Sequence, residues 1–501
     1  MTASSLGTQC DLALIGARVI DPETALDAVR AVGITDGTIV SVGETAPPAR
    51  VTWNVAGTVL APGFIDLHSH AQTITGLRLQ ALDGVTTALE LEAGVLPVAA
   101  SYAAAEAEGR PVNFGFSAGW VHARMQVLDG VELHPDSRGG LAAFAAHQRH
   151  PRWRGPADDR EVARILGTLE EAVGEGALGI GVLVGYAPDS GRAEYFRLAA
   201  LAQRLGVPTF THTRYISTEE PNTSLEGALE VIAAAAGTGA HMHMCHVNST
   251  SNRMIDEVAD AVTAARAQGV RVTTEAYPYG AGSTVIGAAF LAPEVLHRMG
   301  ITPRSLTYLA TRERISDADR LRELRATDPG GLVVVHFLDE QEPAELAILE
   351  RSFLLAETAI ATDAMAPIEP GGAVAADRWP LPTGLVAHPR TAGSYARTLR
   401  WLVRERGLLT LTEAIRRSSL LPAQILTAAV PAMRRKGRVQ VGADADLVIF
   451  DPATVTDHAT YTDLMPSTGF RHVLVGGTPV VRDGEVVPNA LPGRPVRSGD
   501  V

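Results

Sequence analysis

Between residues 61 and 430, runs with the texture of short buried strands alternate with runs that favour helix. This alternation restricts the fold more than any other feature of the chain. Strands are expected at 63–68, 85–92, 112–117, 177–183, 207–212, 241–246, 270–276 and 357–363. Between several of them lie Ala-rich periodic stretches such as EVARILGTLEEAVGEG and SLEGALEVIAAAAG, which are good helix formers. Eight strands alternating with helices predict an α/β fold, a (β/α)8 TIM-like barrel whose helices form an outer ring.

The flanks have a different texture. DLALIGARVID, AVGITDGTIVSVG and VTWNVAGTVLAPG are β-rich runs broken by Asp-Gly and Gly, and ADLVIFDP and RHVLVGGTPVVRDGEVV repeat the pattern near the other end. Two β-segments bracketing a long middle predict a small β-sandwich domain built from both termini, since chain ends often lie close together. The expected division is 1–60 for the first part of the sandwich, 61–430 for the barrel and 431–501 for the second part. The stretch from about 281 to 356 is too long for one helix and is expected to be a helical insertion between strands 7 and 8. The Pro/Gly-rich segment 366–390 reads as a long loop at the barrel's active end, and loops that long are usually functional or disordered.

Bulk properties narrow the class. With 501 residues there is room for a barrel plus an accessory domain. The net charge of -13, from 43 basic and 56 acidic residues, argues against nucleic acid as a partner. Two cysteines, Cys10 and Cys245, exclude a disulfide framework and point to a reducing compartment. No secretory leader opens the chain, and no run approaches the ~20 apolar residues of a membrane span. The expectation is a cytoplasmic protein acting on a small molecule, without a nucleic-acid or membrane partner; association into a homo-oligomer stays open.

Barrel active sites are built from C-terminal strand ends, so the polar residues there are the candidates. Strand 1 ends in His68 and His70, two residues apart and therefore on one face. Strand 2 offers Glu90 and Glu92, strand 5 His212, strand 6 His246 and strand 8 Asp363. A His-x-His pair alone reads equally well as two surface histidines. Four histidines with carboxylates at separate strand ends read as a metal centre, because buried charges need partners or an ion. Strict alternation sets His241, His243 and Cys245 on the face opposite His246 and makes Met242 and Met244 barrel filling. His388, beside Pro389 in the long loop, reads as solvent-exposed.

With these residues located, the chain resembles the metal-dependent amidohydrolase superfamily, and within it the D-aminoacylase group, which removes N-acyl groups from D-amino acids. The likeness covers nearly the whole chain. Ala61–His70 looks like the strand-1 metal motif, DGVTT at 83–87 is similar to strand 2, and Tyr277–Thr284 matches the group's YPYxAGST motif. Asp363 stands where that group has its catalytic Asp, and Ala387–Arg390 resembles its HPR segment.

The resemblance implies a zinc enzyme with one or two divalent ions held by His68, His70, Glu92, His212 and His246, and Asp363 moving the proton. It further implies that Arg390, Tyr277 and Ser283 hold the carboxylate of a small substrate, with Asn248 at the position of a substrate-holding Lys. Two departures stand out. Where the group has a ligating Cys after strand 2, this chain has Leu91-Glu92-Ala93-Gly94, so Glu92 is the natural replacement and Glu90 the fallback. Where the group has a Lys after the strand-6 His, this chain has Asn248, and His246-Val247-Asn248 looks more like the isoaspartyl dipeptidase branch. The alternatives are therefore a cyclic-amide hydrolase or an isoaspartyl-type dipeptidase and, from another class, a non-catalytic binding protein on the same scaffold.

Overall fold

The computed structural model describes residues 9–150 and 152–500. Eight strands form one sheet: β1 (Phe64–Asp66), β2 (Val85–Val95), β3 (Asn113–Gly119), β4 (Ile180–Leu183), β5 (Thr209–His212), β6 (Met242–Met244), β7 (Val272–Ala276) and β8 (Thr358–Ile360). They follow one another in sequence order and every ladder is parallel. β1 and β8 meet just beyond their ends, where Ser69 pairs with Ala364 and the His70 amide donates to the Ala364 carbonyl at 2.8 Å. The Tyr395 hydroxyl spans the same seam, 3.3 Å from both Ile65 O and Ile360 O. All eight expected strands are present, because each is a short apolar run bounded by turn residues.

The intervening helices begin where local chemistry dictates. Asp158 with Glu161, and Thr223 with Glu226, form reciprocal capping boxes that start the helices Asp159–Gly174 and Ser224–Thr238. The first of these buries Val162, Ile165, Leu169 and Val173, the spacing of one helical face.

Strands from the two chain ends share a sheet. Leu447–Phe450 runs antiparallel to Val59–Pro62, which is parallel to Arg18–Asp21. A second, four-stranded sheet around Cys10–Ile15 packs on it, joining Leu12, Leu14, Val32 and Ile34 to Leu60, Leu447, Ile449 and Leu474. This is the expected sandwich. Its last stretch departs from the sequence reading: residues 492–496 leave the sandwich and lie along β3, with Val496 N–H donating to Phe114 O at 2.7 Å. The Tyr102 hydroxyl donates to Val496 O at 2.7 Å.

The insertion between β7 and β8 was expected to be helical; it contains helices, but they accompany a sheet that the sequence reading did not include. It holds a four-stranded antiparallel sheet of Ala281–Val285, Leu332–His336, Leu306–Tyr308 and Glu313–Arg314, with the helices Ala318–Thr327 and Pro343–Leu354. The reason is local: LVVVH is a β-branched run, and it finds its partner in AGSTV. The loop 366–390 packs on this sheet through Ile368 and Val386 against Val334 and Leu309.

Candidate metal centre

The structure brings His68, His70, Glu92, His212, His246 and Asp363 to one place at the C-terminal mouth of the barrel, all of them buried. Glu92 stands at the middle. Its Oε1 lies 2.8 Å from His246 Nε2 and 3.2 Å from His212 Nδ1. Its Oε2 lies 3.2 Å from His68 Nε2 and 3.6 Å from His70 Nε2. One carboxylate thus faces two histidine pairs, one through each oxygen. Asp363 Oδ1 closes the first group, 3.4 Å from His68 Nε2 and 3.5 Å from His70 Nε2.

The donor set fits a cation. His68 Nδ1 donates to Glu275 Oε1 at 2.5 Å and His70 Nδ1 donates to Glu90 Oε2 at 2.6 Å. That leaves the two Nε2 atoms turned inward, 3.0 Å apart. Two lone pairs at that distance repel, and a shared cation removes the repulsion. Burial would lower the two imidazoles, but Glu92, Asp363 and Glu275 around His68, and Glu90 and Asp363 around His70, hold both well above the ordinary histidine range. Burial keeps His212 below that range, as a neutral donor.

The carboxylates are ionised. Burial would raise Glu92, yet His68 and His246 outweigh it and hold it well below the usual carboxylate range. Burial would likewise raise Asp363, and the Arg390 guanidinium, with His68 and His70, brings it below. Arg390 Nη1 lies 2.9 Å from Asp363 Oδ2, its Nη2 donates to Ser283 O at 3.2 Å, and it stacks 4.7 Å over the Tyr277 ring. Among the described residues its Nε and the Ser283 hydroxyl have no hydrogen-bond partner although buried. Arg390, Tyr277 and Ser283 line the cavity over the centre. Leu141, Phe144, Phe290, Leu332, Phe337 and Ile368 line the same cavity and make much of its wall apolar.

Several expectations need correction. Asn248 does not line the cavity. Its side-chain amide donates to Tyr279 O and accepts from Tyr277 N–H, each at 3.3 Å, so it shapes the Tyr277–Tyr279 segment instead of meeting a substrate. Cys245 does not point away from the centre. β6 ends at Met244 and His246 takes φ +31°, so alternation stops and both Cys245 and His246 turn toward the site. Met242 and Met244 belong to the core shared with the surrounding helices, with Ser224–Thr238 packed against β6, while Cys245 belongs to the separate cluster of Ile65, Leu67 and Phe210. His388 is buried, edge-on to the rings of Tyr279 and Tyr461. Glu90 holds His70 and accepts from the Ala93 amide at 3.2 Å, while Glu92 is the carboxylate that faces both histidine pairs.

Sequence reasoning passed over Glu275. The signal was a lone acid in the otherwise apolar and hydroxylic strand VTTEA, where only a strong partner makes burial tolerable.

A parallel barrel with imidazoles and carboxylates converging at its C-terminal end is the architecture of a metal-dependent hydrolase of carbon–nitrogen bonds. Residues 52–481 match the amidohydrolase family, and the chain belongs to it. It is similar to the N-acyl-D-glutamate deacylase of Alcaligenes xylosoxydans xylosoxydans, at 29% identity over 97% of this chain and 96% of that one. The D-aminoacylase of the same organism is 26% identical over 94% of each. Among solved structures, the N-acyl-D-glutamate deacylase from Bordetella bronchiseptica, complexed with zinc and a phosphonate inhibitor, superposes with a TM-score of 0.75 at 25% identity, covering 98% of this chain and all of that one. No helix among the described residues is long and apolar enough to cross a membrane.

Proposed function

We propose that the chain hydrolyses the amide bond of N-acyl-D-amino acids, using zinc held by His68, His70, Glu92, His212 and His246. The observation that carries this reading is Glu92 facing two histidine pairs with Asp363 beside them, a donor set that would suit one or two divalent ions. His68, His70, Glu92, His212 and His246 would hold the ion, which when bound would polarise the scissile carbonyl and make the attacking water more acidic. Asp363, ionised and buried, accepts the proton of that water and delivers it to the leaving amine. Arg390 keeps Asp363 ionised, and its remaining N–H groups, with Tyr277 and Ser283, hold the substrate carboxylate. The apolar wall takes the rest of the substrate and excludes water. The likeness to deacylases of N-acyl-D-glutamate and to D-aminoacylase supports the substrate class. Two free, buried cysteines support a cytoplasmic setting.

The test is a substrate panel on zinc-loaded protein, with release of free amine as the readout. The panel holds N-acetyl-D- and N-acetyl-L-amino acids, β-linked dipeptides and hydantoin-type rings. Turnover concentrated in the N-acetyl-D-amino acids supports the reading. Turnover confined to rings or dipeptides replaces it with the corresponding hydrolase.

A further inference from the structure

His388 lies fully buried at the head of the helix Arg390–Arg397. A helix must find acceptors for its first N–H groups. His388 supplies two of them. Its Nδ1 accepts from Arg390 N–H at 3.1 Å, and its carbonyl accepts from Thr391 N–H at 3.0 Å. Serine, threonine, aspartate or asparagine is the usual side chain at the start of a helix. The imidazole serves the same end and also fills the space between three tyrosine rings. It lies edge-on to Tyr277, Tyr279 and Tyr461, with ring centroids 6.4, 5.4 and 5.2 Å away. Burial, Arg390 and His336 hold this histidine well below its ordinary range. The ring is therefore neutral, with its proton on Nε2 and the Nδ1 lone pair turned to Arg390 N–H.

The far end of the same arginine depends on the same group. The Arg390 guanidinium stacks 4.7 Å over the Tyr277 ring, and His388 packs edge-on to that ring. His388 thus meets Arg390 twice, at its backbone N–H and through the ring beneath its guanidinium. The rest of the helix has an anchor of its own: Asp83 accepts from Tyr395 and Ala396 N–H at 2.8 and 2.9 Å. We infer that His388 is a positioning residue: it fixes the first turn of this helix and the Tyr277 ring, and so aims Arg390 at Asp363 and at the substrate carboxylate. The inference rests on the carboxylate-holding role read for Arg390 above and adds the residue that sets its aim.

The test separates the acceptor from the ring. His388→Phe keeps a buried ring and removes the acceptor. His388→Asn removes the ring and keeps an acceptor, because its Oδ1 stands where the imidazole Nδ1 stood. KM for N-acetyl-D-leucine and for its α-amide is measured on zinc-loaded wild type, both variants, Arg390→Lys and the double variant of His388→Phe with Arg390→Lys. The crystal structure of His388→Phe is determined in parallel. His388→Phe is expected to raise KM for the acid by about 10–100-fold, the cost of a misplaced binding group, and to change it little for the amide. His388→Asn is expected to recover most of that loss. Added to Arg390→Lys, His388→Phe is expected to cost little more, because residues that act through one contact are not additive. In the crystal, Arg390 Nη1 is expected to leave its place 2.9 Å from Asp363 Oδ2. Equal effects on acid and amide, full additivity, or an unmoved Arg390 overturns the inference. If circular dichroism shows His388→Phe unfolded, His388→Leu, smaller and also without an acceptor, takes its place. A wild type that hydrolyses no N-acetyl-D-amino acid overturns the proposed function instead, and the position of Arg390 in the variant crystal still decides the inference.

Discussion

Asp363 and His246 hold φ at +51° and +31°, a region that side-chain-bearing residues seldom occupy and that clusters at functional sites. The turn they make carries each side chain off its strand and into the barrel mouth. Asparagine tolerates the left-handed region at least as well as aspartate, so Asp363→Asn tests the carboxylate without disturbing the backbone. Turnover is expected to fall by about 10²–10⁴-fold with zinc content unchanged; activity within a few-fold of wild type would assign the proton to another group. Arg390 is tied to that carboxylate and faces the cavity. Arg390→Lys keeps the charge and loses the planar fork. It is expected to raise KM sharply for N-acyl amino acids and little for their amides, and equal effects on the two would show that Arg390 does not read the carboxylate.

At the scale of elements, the short helical turn Val184–Tyr186 after β4 lies against the ring of His212. A Cβ at Gly185 would sit 2.4 Å from His212 Cδ2 and 2.5 Å from Thr213 O, so only glycine allows this approach. Gly185→Ala is expected to displace His212 and weaken zinc binding by about 10-fold or more, the loss typical of a disturbed ligand environment. A chelator titration that finds zinc affinity unchanged would mean the turn can shift freely. The eight barrel strands and the placement of His68, His70, His212, His246 and Asp363 at one end of them were legible because an apolar run ending in a polar group states both the element and the end of it that matters, whereas strand 2 offered Glu90 and Glu92 alike. What was missed depended on where regularity stops. Strict alternation was applied through Cys245 and His246, two residues beyond the end of β6. The insertion was read as helical because the strand AGSTV borders a motif and its partner LVVVH lies about fifty residues downstream, a pairing that no local window contains. Asn248 was assigned by alignment to a substrate role, but its amide groups are taken by backbone that a sequence does not display.

At the scale of the whole molecule, the chain's two ends frame the barrel. The sandwich strand Val59–Pro62 leads straight into β1, and residues 492–496 return to β3, where Val496 packs with the barrel residues Leu89, Leu91 and Phe210. Removing residues 489–501 takes away the acceptor of the buried Tyr102 hydroxyl and uncovers the Val496 contact. The expected cost is about 2–6 kcal/mol from one unsatisfied hydroxyl and one valine, seen as a lower urea midpoint, and an unchanged midpoint would mean the tail is not part of the folded unit. The metal centre lies at the opposite, C-terminal end of the strands, so zinc content is expected to survive this truncation at moderate temperature. The central claim is that Glu92 joins two ion positions into one hydrolytic centre. Elemental analysis after equilibrium dialysis against zinc tests it most directly, on the wild type and on Glu92→Ala. The account predicts two ions per chain in the wild type and a loss at both positions in the variant. A wild type that retains no zinc, or a Glu92→Ala protein that keeps its full complement, would contradict it.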